Sequence, residues 1–352
     1  MEYKLLEIVT PLLNWYASHA RILPWRDQPT PYRVWVSEIM LQQTRVEAVK
    51  DYFERFTSEL PDIAALAGAQ EQQLLKLWEG LGYYSRVRNL HKAAGIVMEN
   101  NGGKLPEEPE ELIKLPGIGA YTAGAIASIA YGKPAPAVDG NVLRVIARVT
   151  ASRNNVSEAA VKRGFEHDLK EVYPVGRASD FTQALMELGA LVCVPNGAPK
   201  CALCPLQSLC MAHMLGIDEE LPVKTAKKQR RIEERTVFLI LSGEKAAIRQ
   251  RPAKGLLAGL WEFPSVDGAL SPQQAEKVLK TWGMSLLKME PLPPAKHIFT
   301  HIEWHMSGYL AFVNCESADE SLIWASRSEF IETYPLPAAF KSFLSRFFEL
   351  CK

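Results

Sequence analysis

Apolar residues recur at helical spacing from the N-terminus to about residue 220, with almost no period-two alternation, and beyond residue 235 the pattern inverts. That change confines the chain to an all-helical domain followed by one built on a sheet. Thr30–Pro31 reads as an N-cap with proline at the first helical position, opening a helix through Tyr32, Val34, Trp35, Ile39 and Leu41. Ser85 caps another helix that ends near Gly102–Gly103. The runs AQEQQLLKLWEGLG, GAIASIAYG, NVLRVIARV and SEAAVKRGFEHDLKEVY keep the same spacing. Residues 221–234 are polar and rich in Lys and Arg, the composition of a basic linker. TVFLILSG, KAAIRQR, LWEFP, WHMSGYLAFV and LIWAS then read as strands, with helical stretches around 272–283 and 337–351. The expectation is a multidomain chain, all-α over 1–220 and α+β over 235–352.

Charge narrows the classes of partner. Lys+Arg and Asp+Glu number 40 each, so the formal net charge is zero and gives no footprint of a generic basic nucleic-acid binder. The zero is a sum: residues 1–220 hold 22 basic and 26 acidic residues, and 221–352 hold 18 and 14. Glu2 and Glu7 flank a first segment without a cleavage site, and no run of about 18 apolar residues exists, so neither a signal peptide nor a membrane span is expected. Four of the six cysteines fall within Cys193–Cys210, which reads as a metal site in a reducing compartment. Cys315 and Cys351 read as unpaired thiols.

The stretch Leu115-Pro-Gly-Ile-Gly-Ala-Tyr-Thr-Ala-Gly-Ala-Ile126 sets Gly117 and Gly119 around one apolar residue ahead of a helix. Amides at such a helix start face outward and bind phosphate without a basic side chain. Some twenty residues on comes Val138-Asp-Gly-Asn-Val-Leu-Arg144, in which Asp139 taken alone reads as a helix N-cap. Together, LPGIG and VDGNV resemble the helix–hairpin–helix DNA glycosylase superfamily, which includes endonuclease III. The resemblance implies a phosphate held by the hairpin, about 110–126, and a catalytic Asp139 at the sugar of a flipped nucleotide. Lyase-competent relatives carry a lysine nucleophile where this chain has Tyr121. Tyrosine forms no Schiff base, so a monofunctional glycosylase is expected.

Glu38 lies in Trp35-Val-Ser-Glu-Ile-Met-Leu-Gln-Gln-Thr-Arg45 among apolar neighbours, where lost hydration raises a carboxyl pKa and suits it to act as an acid. Residues 31–44 resemble the PYxVWxSExMLQQT run of the MutY family of adenine DNA glycosylases, which ends here on Gln43 and Thr44. By that resemblance Glu38 protonates adenine and Asp139 stabilises the oxocarbenium-like sugar, the two-carboxylate logic of glycoside hydrolysis. Tyr121 and Asn141 support them, and Arg26 and Gln183 lie near the adenine. Tyr83, on the glycine-flanked turn GLGYYSR, matches the intercalating tyrosine, and Gln43 the wedge glutamine that fills the gap left by base flipping. Arg86, Arg88 and Lys92 read equally as phosphate contacts or as a solvated helix face.

Cys193, Cys201, Cys204 and Cys210 have the spacing C-x7-C-x2-C-x5-C, a donor set that zinc and iron–sulfur clusters both accept. The resemblance implies a 4Fe-4S cluster, although the first spacer is one residue longer than the family's usual six. RPAKGLLAGLWEFP, residues 251–264, resembles the opening of a Nudix-like domain, but no metal-binding REUxEE run follows, which disfavours pyrophosphohydrolysis. In the MutY family this domain reads 8-oxoguanine through an F-S-H loop, matched here by Phe299-Thr300-His301. The partner so implied is double-stranded DNA bearing A:8-oxoguanine or A:G mispairs, bound by a monomer in a bacterial cytoplasm. The competing readings are an endonuclease III-like bifunctional glycosylase/lyase, a non-catalytic metal-bearing DNA-binding module and a Nudix hydrolase.

Overall fold

The computed structural model describes residues 2–351 apart from Asn196, Lys227, Lys228 and residues 315–320, together with the side chains from Leu5 onward. Cys315 lies outside the described residues. By contacts the chain forms two compact units, residues 1–69 with 86–226, and residues 70–85 with 227–352.

The first unit is helical. Its main helices are Glu2–His19, Pro31–Leu41, Val46–Glu59, Ser85–Asn101, Gly140–Val149, Ala159–Lys170 and Ala178–Leu191. The expected cap at Thr30 is present: its side chain accepts the Arg33 amide at 3.3 Å, with Pro31 at the first position. Helices Glu2–His19, Gly140–Val149 and Ala178–Leu191 bury Leu5, Ile8, Leu12, Ile146, Phe181 and Leu185 against one another. Each such side chain contributes about 1.5–3 kcal/mol. The stretch read as one helix over GAIASIAYG is α-helical only over Ala120–Ala125 and then widens into a π turn over Ile126–Ala130.

The basic segment 221–234 is not a free linker at either end. Leu221 O accepts Arg148 Nε at 3.0 Å, and the Val156 amide donates to Val223 O at 3.0 Å, which holds residues 221–226 to the helical unit. Arg231 already begins a strand. Its polar composition misled because the first side chains of that strand are largely exposed while their backbone is paired.

The second unit is a seven-stranded sheet of β1 (Arg231–Ser242), β2 (Lys245–Gln250), β3 (Trp261–Glu262), β4 (Ser265–Asp267), β5 (Leu286–Ile298), β6 (Ile302–Val313) and β7 (Leu322–Ala325). The order is β3-β2-β1-β6-β5, with β1 and β6 parallel, β4 on β1 and β7 on β2. Val237, Leu239 and Leu241 of β1 face a core closed by Phe340, Phe343 and Phe347, whereas Phe238 and Ile240 face Ala275 and Leu279. Both faces are thus covered, by helices Lys341–Leu350 and Pro272–Thr281 respectively. Gly308 permits this, since a Cβ there would lie 2.5 Å from Phe343. Strand β5 carries Pro291, Pro293 and Pro294 and does not read as a strand in sequence. It tolerates them because among the described residues it pairs only with β6 and its register breaks between Leu292 and Ala295. Helix Glu71–Leu77 belongs to this unit through Lys76 Nζ to Phe330 O at 2.8 Å and the Leu336 amide to Glu79 Oε1 at 2.7 Å.

Candidate active site

Helix Pro31–Leu41 buries every residue from Val34 to Met40, and Glu38 is only 5% exposed. Burial pushes its carboxyl up to about 7; the Tyr121 hydrogen bond opposes this, nearby Asp139 adds to it, and Arg26 draws it back. The Tyr121 hydroxyl donates to Glu38 Oε2. Tyr121 is itself held protonated by burial, so it remains a donor.

Asp139 caps helix Gly140–Val149, as its sequence context suggests. Its Oδ1 accepts the amides of Asn141 and Val142 at 2.8 and 2.7 Å. Its Oδ2 accepts the Asn141 side-chain amide at 2.7 Å. Burial raises its pKa, and these three donors hold it back. Asn141 is oriented in turn by Arg144, whose Nη2 donates to Asn141 Oδ1 at 2.9 Å and whose Nε donates to Cys193 O at 2.6 Å. Helix Ala178–Leu191 approaches this group closely at Gly189, where a Cβ would stand 2.5 Å from that of Asn141.

Glu38, Tyr121, Asp139, Asn141, Arg26, Gln183 and Thr44 line one pocket in the helical unit. Glu187 also lines this pocket; it is buried, and sequence reasoning does not single it out. Arg21 Nε and Nη2 donate to its two oxygens at 2.8 Å each, and Arg26 Nη2 adds a third bond at 3.0 Å. Burial acts to raise Glu187, but the hydrogen bonds from Arg21 and Arg26 prevail and hold it down to about 2. Arg26 is thereby fixed at the pocket, its other arm on Arg21 O at 3.0 Å. The only local signal for Glu187 is an acid on the apolar spacing of DFTQALMELG.

The remaining sequence-selected residues lie outside that pocket. Gly117 adopts a φ of +79°, which needs glycine, whereas Gly119 is extended and caps helix Ala120–Ala125 with open space where its Cβ would be. Gln43 sits in the turn after the Glu38 helix with a φ of +60°. Arg86 is neither a phosphate contact nor a solvated residue. It is buried, and its Nη1 donates to the carbonyls of Ile39, Met40 and Gln42 at 2.8, 3.1 and 2.7 Å, closing the end of that helix. In the second unit, Thr300 Oγ1 lies 2.7 Å from the Tyr83 hydroxyl. Phe299 packs edge-on against His297 and Trp304, and the Arg231 amide donates to His301 O at 3.1 Å.

Cys193, Cys201, Cys204 and Cys210 are free thiols lining one pocket with Arg148, His213 and Asp218. Arg148 Nη1 donates to Cys193 Sγ at 3.2 Å. Among the described residues no three His, Cys, Asp or Glu side chains close around a single ion. Cys351 is likewise free.

Residues 36–171 match the HhH-GPD superfamily of base excision DNA repair proteins, and residues 236–346 match the NUDIX domain. An adenine DNA glycosylase of Mus musculus is 37% identical over 83% of this chain and 68% of its own length. One from Buchnera aphidicola subsp. Schizaphis graminum is 34% identical over 89% and 91%. Among solved structures, a thermostable thymine-DNA glycosylase superposes with a TM-score of 0.55 at 28% identity, covering 60% of this chain and 98% of that one. Endonuclease III in complex with DNA, at 22% identity and a TM-score of 0.53 over 62% and 98%, shares the fold. The fold and the carboxylate pocket define a DNA N-glycosylase of the helix–hairpin–helix class with a C-terminal Nudix-like domain. Within that class the chain belongs to the adenine DNA glycosylase (MutY) family. No helix among the described residues is long and apolar enough to cross a membrane.

Proposed function

We propose that the protein excises adenine mispaired with 8-oxoguanine or guanine in duplex DNA and leaves the strand intact. The observation that carries this reading is the pairing of Glu38 and Asp139 in one pocket, the first held near pH 7 by burial and the second capped by three donors. A flipped adenine entering beside Arg26 and Gln183 receives the Glu38 proton on a ring nitrogen such as N7 as the glycosidic bond breaks. The bonding electrons leave with the base, and Asp139 as carboxylate stabilises the sugar cation until water adds at C1′ and gives its proton to the Glu38 carboxylate. Tyr121 orients the Glu38 carboxyl by donating to its Oε2, which leaves the other oxygen to carry the proton, and it offers no amine for lyase chemistry.

The hairpin at Gly117–Gly119 supports phosphate binding through backbone amides. Tyr83 with Gln43 fills the space left by the base, and Phe299-Thr300-His301 reads the opposite base. The four-thiol pocket, with a guanidinium donated to one sulfur, suits a 4Fe-4S cluster on Cys193, Cys201, Cys204 and Cys210. Such a cluster supplies a rigid, charged anchor for the loop 193–210. Lack of an acidic run after residue 264 tells against nucleotide hydrolysis by the second domain.

The test is a duplex with adenine opposite 8-oxoguanine, incubated with protein and then treated with or without alkali. Breaks confined to alkali-treated samples are expected, with bound iron at about four per chain. Breaks without alkali, or adduct trapping by borohydride in high yield, support the bifunctional alternative.

A further inference from the structure

The π turn Ile126–Ala130 follows directly on the helix that carries Tyr121, and both Tyr121 and Ile129 line the base pocket. In an unbroken α-helix, residues eight apart point roughly 80° apart around the axis. A turn closed by i→i+5 bonds winds more slowly and takes up that offset, which places both side chains on one face.

A buried chain of hydroxyls holds this turn. Ser128 Oγ lies 2.7 Å from Gly124 O, Thr182 Oγ1 lies 2.9 Å from Ser128 Oγ, and Tyr173 OH lies 2.9 Å from Thr182 Oγ1. The proton directions follow by elimination. A carbonyl only accepts, so Ser128 donates to Gly124 and must accept from Thr182, which must accept from Tyr173. Burial pushes Tyr173 up to about 12, so it stays a donor, and the Ala137 amide satisfies its oxygen. Ser128, Thr182 and Tyr173 are all buried, and every hydroxyl is used once in each sense. The chain joins three walls of the site: the segment two residues ahead of Asp139, the helix bearing Gln183 and Glu187, and the helix bearing Tyr121. Gly124 is also pressed onto the first wall, since a Cβ there would meet Pro136 O at 2.1 Å.

We propose that Ser128 and Thr182 are positioning residues which, by holding the wide turn open, set Tyr121 at its hydrogen-bonding distance from Glu38. The catalytic side of this inference rests on Glu38 acting as the acid. The groups facing Glu38 are Tyr121, Asp139 and Arg26, with Arg21 and Glu187 beyond them in the same pocket. Tyr121 lowers the Glu38 pKa, so loosening that bond raises it.

The experiment titrates Glu38 by carbon NMR on the full chain, with the resonance identified by its loss in Glu38→Gln. Thr182→Val removes the central hydroxyl at constant shape, and Thr182→Ser restores it. Thr182→Val is expected to shift the Glu38 midpoint upward and to slow excision by roughly tenfold or more at unchanged duplex affinity, with recovery in Thr182→Ser. Ser128→Ala, which removes only the last donor, carries the same expectation if Thr182→Val fails to fold. A lower melting temperature with an unmoved Glu38 titration overturns the proposal. If the wild-type protein releases no adenine, the functional reading falls, while the titration still decides this one.

Discussion

Glu38 and Glu187 line one pocket and occupy opposite ends of the carboxylate range, one pushed up to about 7 and the other held at about 2. Both are buried, so burial alone does not separate them. Glu187 meets two guanidinium groups, whereas Glu38 meets a neutral phenol and a second carboxylate. Of the two, Glu38 is therefore the one that takes up a proton as pH approaches neutrality, as the proposed acid must.

Excision should decline as pH rises through about 7, since the acid form of Glu38 is lost there. Glu38→Gln should keep duplex affinity and lose roughly 10²–10⁴-fold in single-turnover rate. A rate within a few fold of wild type in that variant removes Glu38 from its role.

Glu187 affects stability with a definite sign. Its folded pKa lies below its unfolded one, so its contribution is present above about 4.5 and is lost as pH falls toward 2. Glu187→Gln leaves Arg21 and Arg26 facing an uncharged partner at a site that is 1% exposed. It should cost roughly 3–5 kcal/mol at pH 7. Denaturant melts of the two proteins should converge as pH is lowered, and a difference independent of pH contradicts the assignment.

Asn141→Leu removes the donor to Asp139 Oδ2 and the acceptor of Arg144 together. Asp139, already raised by burial, should rise further. Because the proposed mechanism needs it ionised, the acidic limb of the excision profile should move to higher pH, while the alkaline limb stays in place. Movement of both limbs together would point to general misfolding of the pocket.

Thr300→Val keeps the volume of the side chain and loses its bond to Tyr83. With the hydroxyl gone, excision opposite 8-oxoguanine should fall toward that opposite guanine, narrowing the ratio of the two rates. An unchanged ratio would show that Thr300 does not read the opposite base.

What sequence revealed, and what it hid, divides by range. Thr30, Asp139 and Asn141 are legible because a cap and the amides that donate to it lie within three residues of one another. The Glu187 cluster joins residues more than 160 positions apart, so nothing near DFTQALMELG marks it. Strand β5 is hidden by three prolines that only an edge position with a register break excuses. The π turn leaves IASIA with an ordinary helical composition, because its cause is the hydroxyl chain and that chain needs Thr182 and Tyr173. Arg86 looked like surface charge since its acceptors are backbone carbonyls, which sequence does not display.

Arg86 provides the last test. One guanidinium nitrogen serves the carbonyls of Ile39, Met40 and Gln42, groups that the end of a helix leaves without an amide donor. Arg86→Met retains the packing volume and strands those buried acceptors, at a cost of about 3 kcal/mol. The effect should reach beyond stability, because Thr44 follows directly on this turn and lines the base pocket. Measured well below the melting transition, Arg86→Met should therefore excise more slowly at saturating enzyme, with salt dependence of duplex binding unchanged. A phosphate contact would give the converse, a reduced salt slope and an unaffected excision step. The two readings of Arg86 that sequence left equal are thus both replaced by a third, in which its charge closes the helix carrying Glu38.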